Sequence, residues 1–436
     1  MMKMNRLPKC LHCPLFGLLL FGGLLFSMGC ETLDIPNPNA PTVEQVTVQS
    51  LVTGVEAGMR LEIGIYLRVV GILGREVYYF EPADPRYTGE LLFGTVDPGG
   101  FLLNRPWSAR YRTIATCNFI LDKANDLEPQ AAAGARGFAK TIMAYQLLLN
   151  LNYLDENGIR LNFDGDLSKP FASKQEAFAR IESLLDEGLA DLNNAGADFA
   201  FTLTEGFSKW NLHTPAGFAK FNRAIRARVA VYQGKYNEAL QALNASFLDR
   251  NGPMEMGAYY VFGTGLGDQP NPIFENPDAP FVKLMAHPTF ETDAEAGDQR
   301  FATKVKKRPE PTTFDNLTSQ LGVTISKSST DPFPIIRNEE LILLAAEANI
   351  GLGNLAEAQN DINLVRAAAG LSPVTLTADN AVTQLLHEKR YSLFGEGHRW
   401  IDMRRYGRLD ELPVDRATDK VIDRLPIPET ERSEGK

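Results

Sequence analysis

Apolar residues recur along most of this chain at the three- and four-residue spacing of amphipathic helices, and in two stretches that spacing lapses. The clearest helical run covers residues 338–369. Leu341, Leu344, Ala345, Ala348 and Leu352 form one stripe, which Gly351 and Gly353 end. Leu355, Ala358, Ile362 and Val365 form a second, closed by Gly370 and Pro373. Asn338 is placed to cap the first helix, with Glu339 and Glu340 in its positive first turn. Asn354 followed by Glu357 reads as a capping box for the second. Two amphipathic helices joined by so short a turn pack antiparallel. A third helix starts near Thr377 and carries Val382, Leu385, Leu386, Leu393 and Phe394.

Further helices are predicted over 42–70, interrupted by Gly54, Gly58 and Gly64, and over 107–127, 131–151, 173–192 and 215–233. Ser173 with Glu176 caps the fourth of these, and Pro215 opens the fifth. Residues 227–243 align with 346–362 at an offset of 119, pairing Ala227 with Ala346, Gly234 with Gly353 and Ala239 with Ala358. A small residue, a glycine turn and then alanine in the second helix is tetratricopeptide logic. The expected fold is therefore mostly α: tetratricopeptide-like helical hairpins with a loop-rich insertion at about 250–336 and few short strands.

The stretches that lack helical period, 75–106 and the insertion, are rich in Gly, Pro and aromatics. Sugar rings offer apolar faces on which aromatic side chains stack, and loops held by a rigid frame suit that task. Tyr78, Tyr79, Tyr87, Tyr259 and Tyr260 are the candidate ligand contacts. The competing reading is that these rings seal the loops onto the helices. Gly263, Gly265 and Gly267 do not make a dinucleotide loop, because Pro270 and Pro272 deny the helix that would aim amides at phosphate.

Residues 1–29 have the order of a lipoprotein signal peptide: basic residues, an apolar run over 15–26, then Ser27-Met28-Gly29-Cys30. Gly29-Cys30 resembles the end of a bacterial lipobox, which makes Cys30 the expected lipid anchor, with 30–41 as a proline-rich tether and 42–436 as the body. The ordinary secreted protein is the alternative. Loss of Lys3, Arg6 and Lys9 with the leader takes the net charge from −10 to −13. An acidic body without a sustained basic patch excludes nucleic acid as a partner. Only Cys117 remains beyond the processing site, so a buried free thiol is expected and no disulfide.

Chemistry-bearing motifs are few. His387-Glu388 opens an HExxH zinc motif, but Tyr391 stands where the second imidazole is required. Asp164-Gly165-Asp166 lacks EF-hand spacing. No spacing singles out a carboxylate pair for glycoside hydrolysis. No metal, cofactor or catalytic residue is assigned.

The segment HEKRYSLFGEGHRWIDMRRYGRL, 387–409, carries Glu388, Arg390, Glu396, Gly397, Arg399, Trp400, Asp402 and Arg405 in the order of the C-terminal signature of SusD/RagB proteins. It follows a helical hairpin, as it does there, and the resemblance spans most of residues 30–428. That resemblance implies a surface-exposed, lipid-anchored outer-membrane protein that binds nutrient and is not an enzyme. Its ligand would be a glycan or other nutrient, delivered to a SusC-like TonB-dependent transporter. From the residues alone, the signature's charges are expected to pair between helices. Two alternatives stay open: a helical-repeat lipoprotein that scaffolds envelope proteins, and a secreted glycan hydrolase.

Overall fold

The apolar stripes become helices that pack against their neighbours in sequence. The computed structural model describes residues 46–163, 166 and 168–432. The leader, the Cys30 anchor, the tether and Asp164-Gly165 lie outside the described residues.

Helix α1, Val48–Arg60, is capped by the Thr47 hydroxyl, which accepts from the Ser50 amide at 3.1 Å. The single helix expected over 42–70 starts at Val48 and is broken at residues 61 and 62, not at a glycine. Glu62 takes φ 56, and α2 restarts at Ile63–Leu73. The fully buried Arg110 guanidinium explains the break, because it donates to the carbonyls of Met59 (3.0 Å) and Leu61 and so satisfies the end of α1. Gly58 is needed for close approach: a Cβ there would lie 2.7 Å from the Thr113 hydroxyl.

Strand β1, Val77–Tyr79, follows, and then α3, Phe101–Lys123. This helix begins six residues before the expected start at 107, because Pro106 sits within its second turn and forfeits only one hydrogen bond there. Helices α4, Pro129–Leu154, and α5, Lys174–Asn193, come next. The expected Ser173–Glu176 capping box is present in both directions. Helices α6, Pro215–Tyr232, and α7, Tyr236–Asn244, form one hairpin.

The insertion carries β2, Gly257–Tyr260; β3, Leu284–Ala286; β4, Val305–Phe314; β5, Leu317–Val323; and β6, Phe333–Arg337. An antiparallel sheet in the order β1-β3-β5-β4 binds the early loop to the insertion, with Tyr78 opposite Met285. Strands β2 and β6 make a separate pair. Asp315 and Asn316, both at positive φ, turn the β4–β5 hairpin.

Helices α8, Asn338–Gly351, and α9, Leu355–Ala368, form the second hairpin, followed by α10, Ala381–Ser392, and α11, Arg399–Arg405. Helix α7 packs on α8, so the two copies of the repeat stack directly. Gly234 and Gly353 take equivalent left-handed turns, φ 69 and 78. Ile342, Ala346, Ala358, Ile362, Val365 and Leu385 fill the core between α8, α9 and α10.

Two expected caps are not made. Asn338 is already the first helical residue, and its amide donates instead to the Asp249 and Pro253 carbonyls at 2.6 and 3.1 Å. Asn354 makes no capping bond, and its amide donates to Asn349 Oδ1 at 3.2 Å. Cys117 is buried and free as expected, with its thiol pushed up by desolvation.

Beyond α11 the chain runs back across the first helices without helix or strand over 412–428. The Lys420 amide donates to the Leu92 carbonyl (2.7 Å) and the Leu425 amide to Tyr153 (2.9 Å). Buried Arg75 donates to the carbonyls of Pro413 and Lys420, and the Trp107 indole donates to Glu431 Oε1 at 2.9 Å. Among the described residues no helix is long and apolar enough to cross a membrane.

Candidate functional site

Both stretches without helical period converge on one cleft of about 870 Å³. Its floor is the broken junction of α1 and α2, which presents Arg60, Glu62 and Arg68. One wall is the segment after β1, with Tyr79, Glu81, Asp84 and Tyr87, continued by Phe101 and Arg105 from the start of α3. The other wall comes from the insertion, with Gln269, Pro272 and Lys283. Gly64 lets the walls meet, since a Cβ there would lie 2.5 Å from Pro272 Cβ.

The aromatic surface is built from rings held edge to face. Tyr79 and Tyr87 stand 4.8 Å apart between centroids, and Tyr87 meets Phe101 at 5.7 Å. Arg86 lies over the Phe101 ring at 4.4 Å and pairs with Asp84 at 2.8 Å. The Asp84 carboxyl is lowered chiefly by that hydrogen bond. Arg60 pairs with Asp268, Arg105 with Glu62, and Lys283 with Glu81, each at 2.6 Å. The Lys283–Glu81 hydrogen bond is the main reason that the ammonium is raised and the carboxyl lowered. Burial raises both Tyr79 and Tyr87, so their hydroxyls remain protonated donors at neutral pH. Tyr79 and Tyr87 are themselves buried, at 7% and 4% exposed, so the cleft offers the partly exposed Phe101 ring backed by theirs, and a dense set of hydrogen-bonding groups.

Of the five tyrosines singled out by sequence, Tyr79 and Tyr87 line this cleft and the other three do not. Tyr78 is 2% exposed and stacks on Phe80 and His287, because successive strand residues point to opposite faces. The Tyr260 hydroxyl is buried against that of Tyr145 at 2.7 Å. The Tyr259 hydroxyl donates to the Glu255 carbonyl. These last two border a separate void of about 20 Å³, room for one water. Sequence reasoning missed Arg60, Arg68, Arg105 and Lys283. Arg105 and Lys283 lay in stretches read as loop, and nothing local marks Arg60 or Arg68.

The signature segment builds no cleft. It ties helices together by buried charge. Glu388, fully buried, accepts from Arg300 (2.6 Å), Arg366 (2.7 Å) and Gln384 (2.7 Å). Arg390 pairs with Asp293 at 2.6 Å. Glu347 on α8 accepts from Lys389 (2.9 Å), Arg405 (2.7 Å) and the Tyr406 hydroxyl (3.0 Å). Asp402 faces the same two cations at 2.8 and 2.6 Å. Burial alone would raise the Asp402 carboxyl, but Lys389 and Arg405 overcome it and hold it at about 2. Arg399 lies beside buried Glu76, and desolvation brings that guanidinium down to about 10 and the Glu76 carboxyl up to about 7. Glu295, His387 and Glu388 lie close enough to ligate an ion. Yet Arg366 already bonds both carboxylates and Arg300 bonds Glu388, so two fixed cations occupy the donor set and it does not fit a metal.

Fold and cleft together define the class: a frame of stacked α-hairpins that carries a loop-walled cleft. Residues 315–432 match the model described as SusD family, and the SusD/RagB resemblance read from 387–409 stands. A SusD superfamily protein from Bacteroides vulgatus superposes with TM-score 0.65 at 17% identity, covering 88% of this chain and 95% of that one. A laminarin binding SusD-like protein gives TM-score 0.62 at 20% identity, covering 87% and 96%. Surface glycan-binding protein A from Bacteroides uniformis gives 0.62 at 15%, covering 83% and 88%. At these identities the likeness is one of fold. Among curated proteins none matches the chain.

Proposed function

We infer that this chain is a glycan-binding protein without catalytic activity. In this reading it is held at the outer-membrane surface by acyl chains on Cys30 and hands its ligand to a TonB-dependent barrel. The observation that carries the reading is the convergence of two separate loop stretches on one cleft, the first with aromatic rings and the second with Gln269, Pro272 and Lys283. A sugar ring packs against the partly exposed Phe101 ring, which Tyr87 and Tyr79 buttress from beneath, while Gln269 and the paired charges bind hydroxyls. The SusD-like fold, shared with a laminarin binding protein and a surface glycan-binding protein, supports it. The cleft, at about 870 Å³, has room for a short oligosaccharide segment.

The test is a glycan-array screen of the full-length chain followed by calorimetry. Binding that weakens at least tenfold in Phe101→Ala is the expected result, since Phe101 is partly exposed on the cleft wall and not in the core. Glycan turnover would replace this reading with a hydrolase. Retention of peptides and no glycan would replace it with an envelope scaffold. Anchoring is tested by mass spectrometry of the mature N-terminus, and delivery by co-purification of an outer-membrane barrel.

A further inference from the structure

We propose that the cleft selects saccharides bearing an anionic substituent, a carboxylate or a sulfate ester, which docks on the Arg68 guanidinium; this rests on the cleft being the glycan site.

The cleft's cations are not equivalent. Arg60, Arg105 and Lys283 each have a carboxylate at 2.6 Å and are neutralised from within the protein. Among the described residues Arg68 has none. Its Nη2 donates to the Pro272 carbonyl, and its Cζ lies 4.2 Å from the Tyr79 ring centroid. Its Nε is buried and finds no acceptor in the protein. A guanidinium stays charged under all physiological conditions, so this one brings the cleft a positive charge with no carboxylate at ion-pair distance among the described residues.

The charge is also held in place. Stacking on Tyr79 and the bond to Pro272 fix the guanidinium, and apolar walls from Tyr79, Tyr87 and Pro272 strengthen its field. With Nη2 on Pro272 and Nε buried, Nη1 is the donor left for a ligand, and a charged oxygen accepts a stronger hydrogen bond from it than a neutral hydroxyl does. The chain as a whole carries a net charge of −10, so a guanidinium without an ion-pair partner stands out against an acidic background.

The experiment uses the full-length chain and a defined panel. The panel comprises oligogalacturonides and oligoglucuronides with their methyl esters, and sulfated galactan oligomers with their desulfated counterparts. The expected result is binding confined to charged members, weakened at least tenfold by methyl esterification or desulfation and by rising salt. Arg68→Gln should remove that preference, and Arg68→Lys should retain part of it. The uronate and sulfate arms identify which anion is read. Equal affinity for charged and neutral members, unchanged by R68Q but weakened by F101A, overturns the anionic preference and keeps the cleft as the site. Binding that F101A leaves intact, or none at all, overturns the site reading and this proposal with it. Should R68Q fail to fold, by its thermal melt, the ester and desulfation comparisons on the unmodified chain decide alone.

Discussion

Glu347 and Glu388 have the same apparent standing, since each carboxylate is fully buried and each accepts three hydrogen bonds. Their removal should nevertheless differ sharply. Around Glu347 the buried charges are two cations, Lys389 and Arg405, against two anions, Glu347 and Asp402. Glu347→Gln leaves one positive charge uncompensated in a site where Lys389 is only 3% exposed. Breaking such a pair costs about 3–5 kcal/mol. Around Glu388 there are also two cations, Arg300 and Arg366, but three anions, because Asp298 pairs with Arg300 and Glu295 with Arg366. Glu388→Gln leaves that cluster balanced and gives up only charge-assisted hydrogen bonds, about 1–2 kcal/mol. Urea unfolding followed by circular dichroism separates the two. With a slope of about 3 kcal/mol per molar, the midpoint should fall by about 1.3 M for E347Q and by about 0.5 M for E388Q. If E388Q proves as costly as E347Q, the charge balance does not govern these sites and the reasoning fails.

Other outcomes follow from single contacts. Glu76 is buried and desolvation raises its carboxyl from the ordinary 4.5 to about 7, so the folded state holds a proton that the unfolded state releases between those pH values. Its contribution is therefore present below about pH 4.5 and lost as pH rises to 7. Glu76→Gln should gain on the unmodified chain by about 2 kcal/mol between pH 5 and 8, and denaturant midpoints that run parallel across that range would contradict this. Ser173→Ala removes a reciprocal cap and should cost about 1 kcal/mol in the same assay, with no effect on ligand affinity. Gly64→Ala pushes Pro272 off the cleft floor, so ligand affinity should fall well before thermal stability does; calorimetry beside a melting curve checks the order.

What could be read in advance was what depends on neighbours in sequence. The Ser173–Glu176 box is a matter of three residues, and the turns at Gly234 and Gly353 follow from a repeated pattern. Asn338 obeyed the same local logic but was claimed by carbonyls of residues 249 and 253, which no local pattern displays. The cleft was half legible. Lack of helical period marked both walls, but only the first stretch brings its aromatics to the cleft. Alternation along β1 would have separated Tyr79 from Tyr78, but three residues between glycine- and proline-rich stretches hardly announce a strand. The cations were not legible, because whether an arginine is neutralised depends on distant partners. Arg60 finds Asp268 across 208 positions, whereas Arg68, two turns further along the helical path, finds no such partner among the described residues.

The return of residues 412–431 over the opening helices sets the timetable of assembly. Arg75, Leu92, Trp107 and Tyr153 are synthesised early, yet their partners emerge last. During synthesis the first helices must wait, incompletely sealed, for residues 412–431, and closing so long a loop slows folding. A ribosome stalled shortly before Leu425 would hold a nearly whole chain whose earliest helices still bind chaperones.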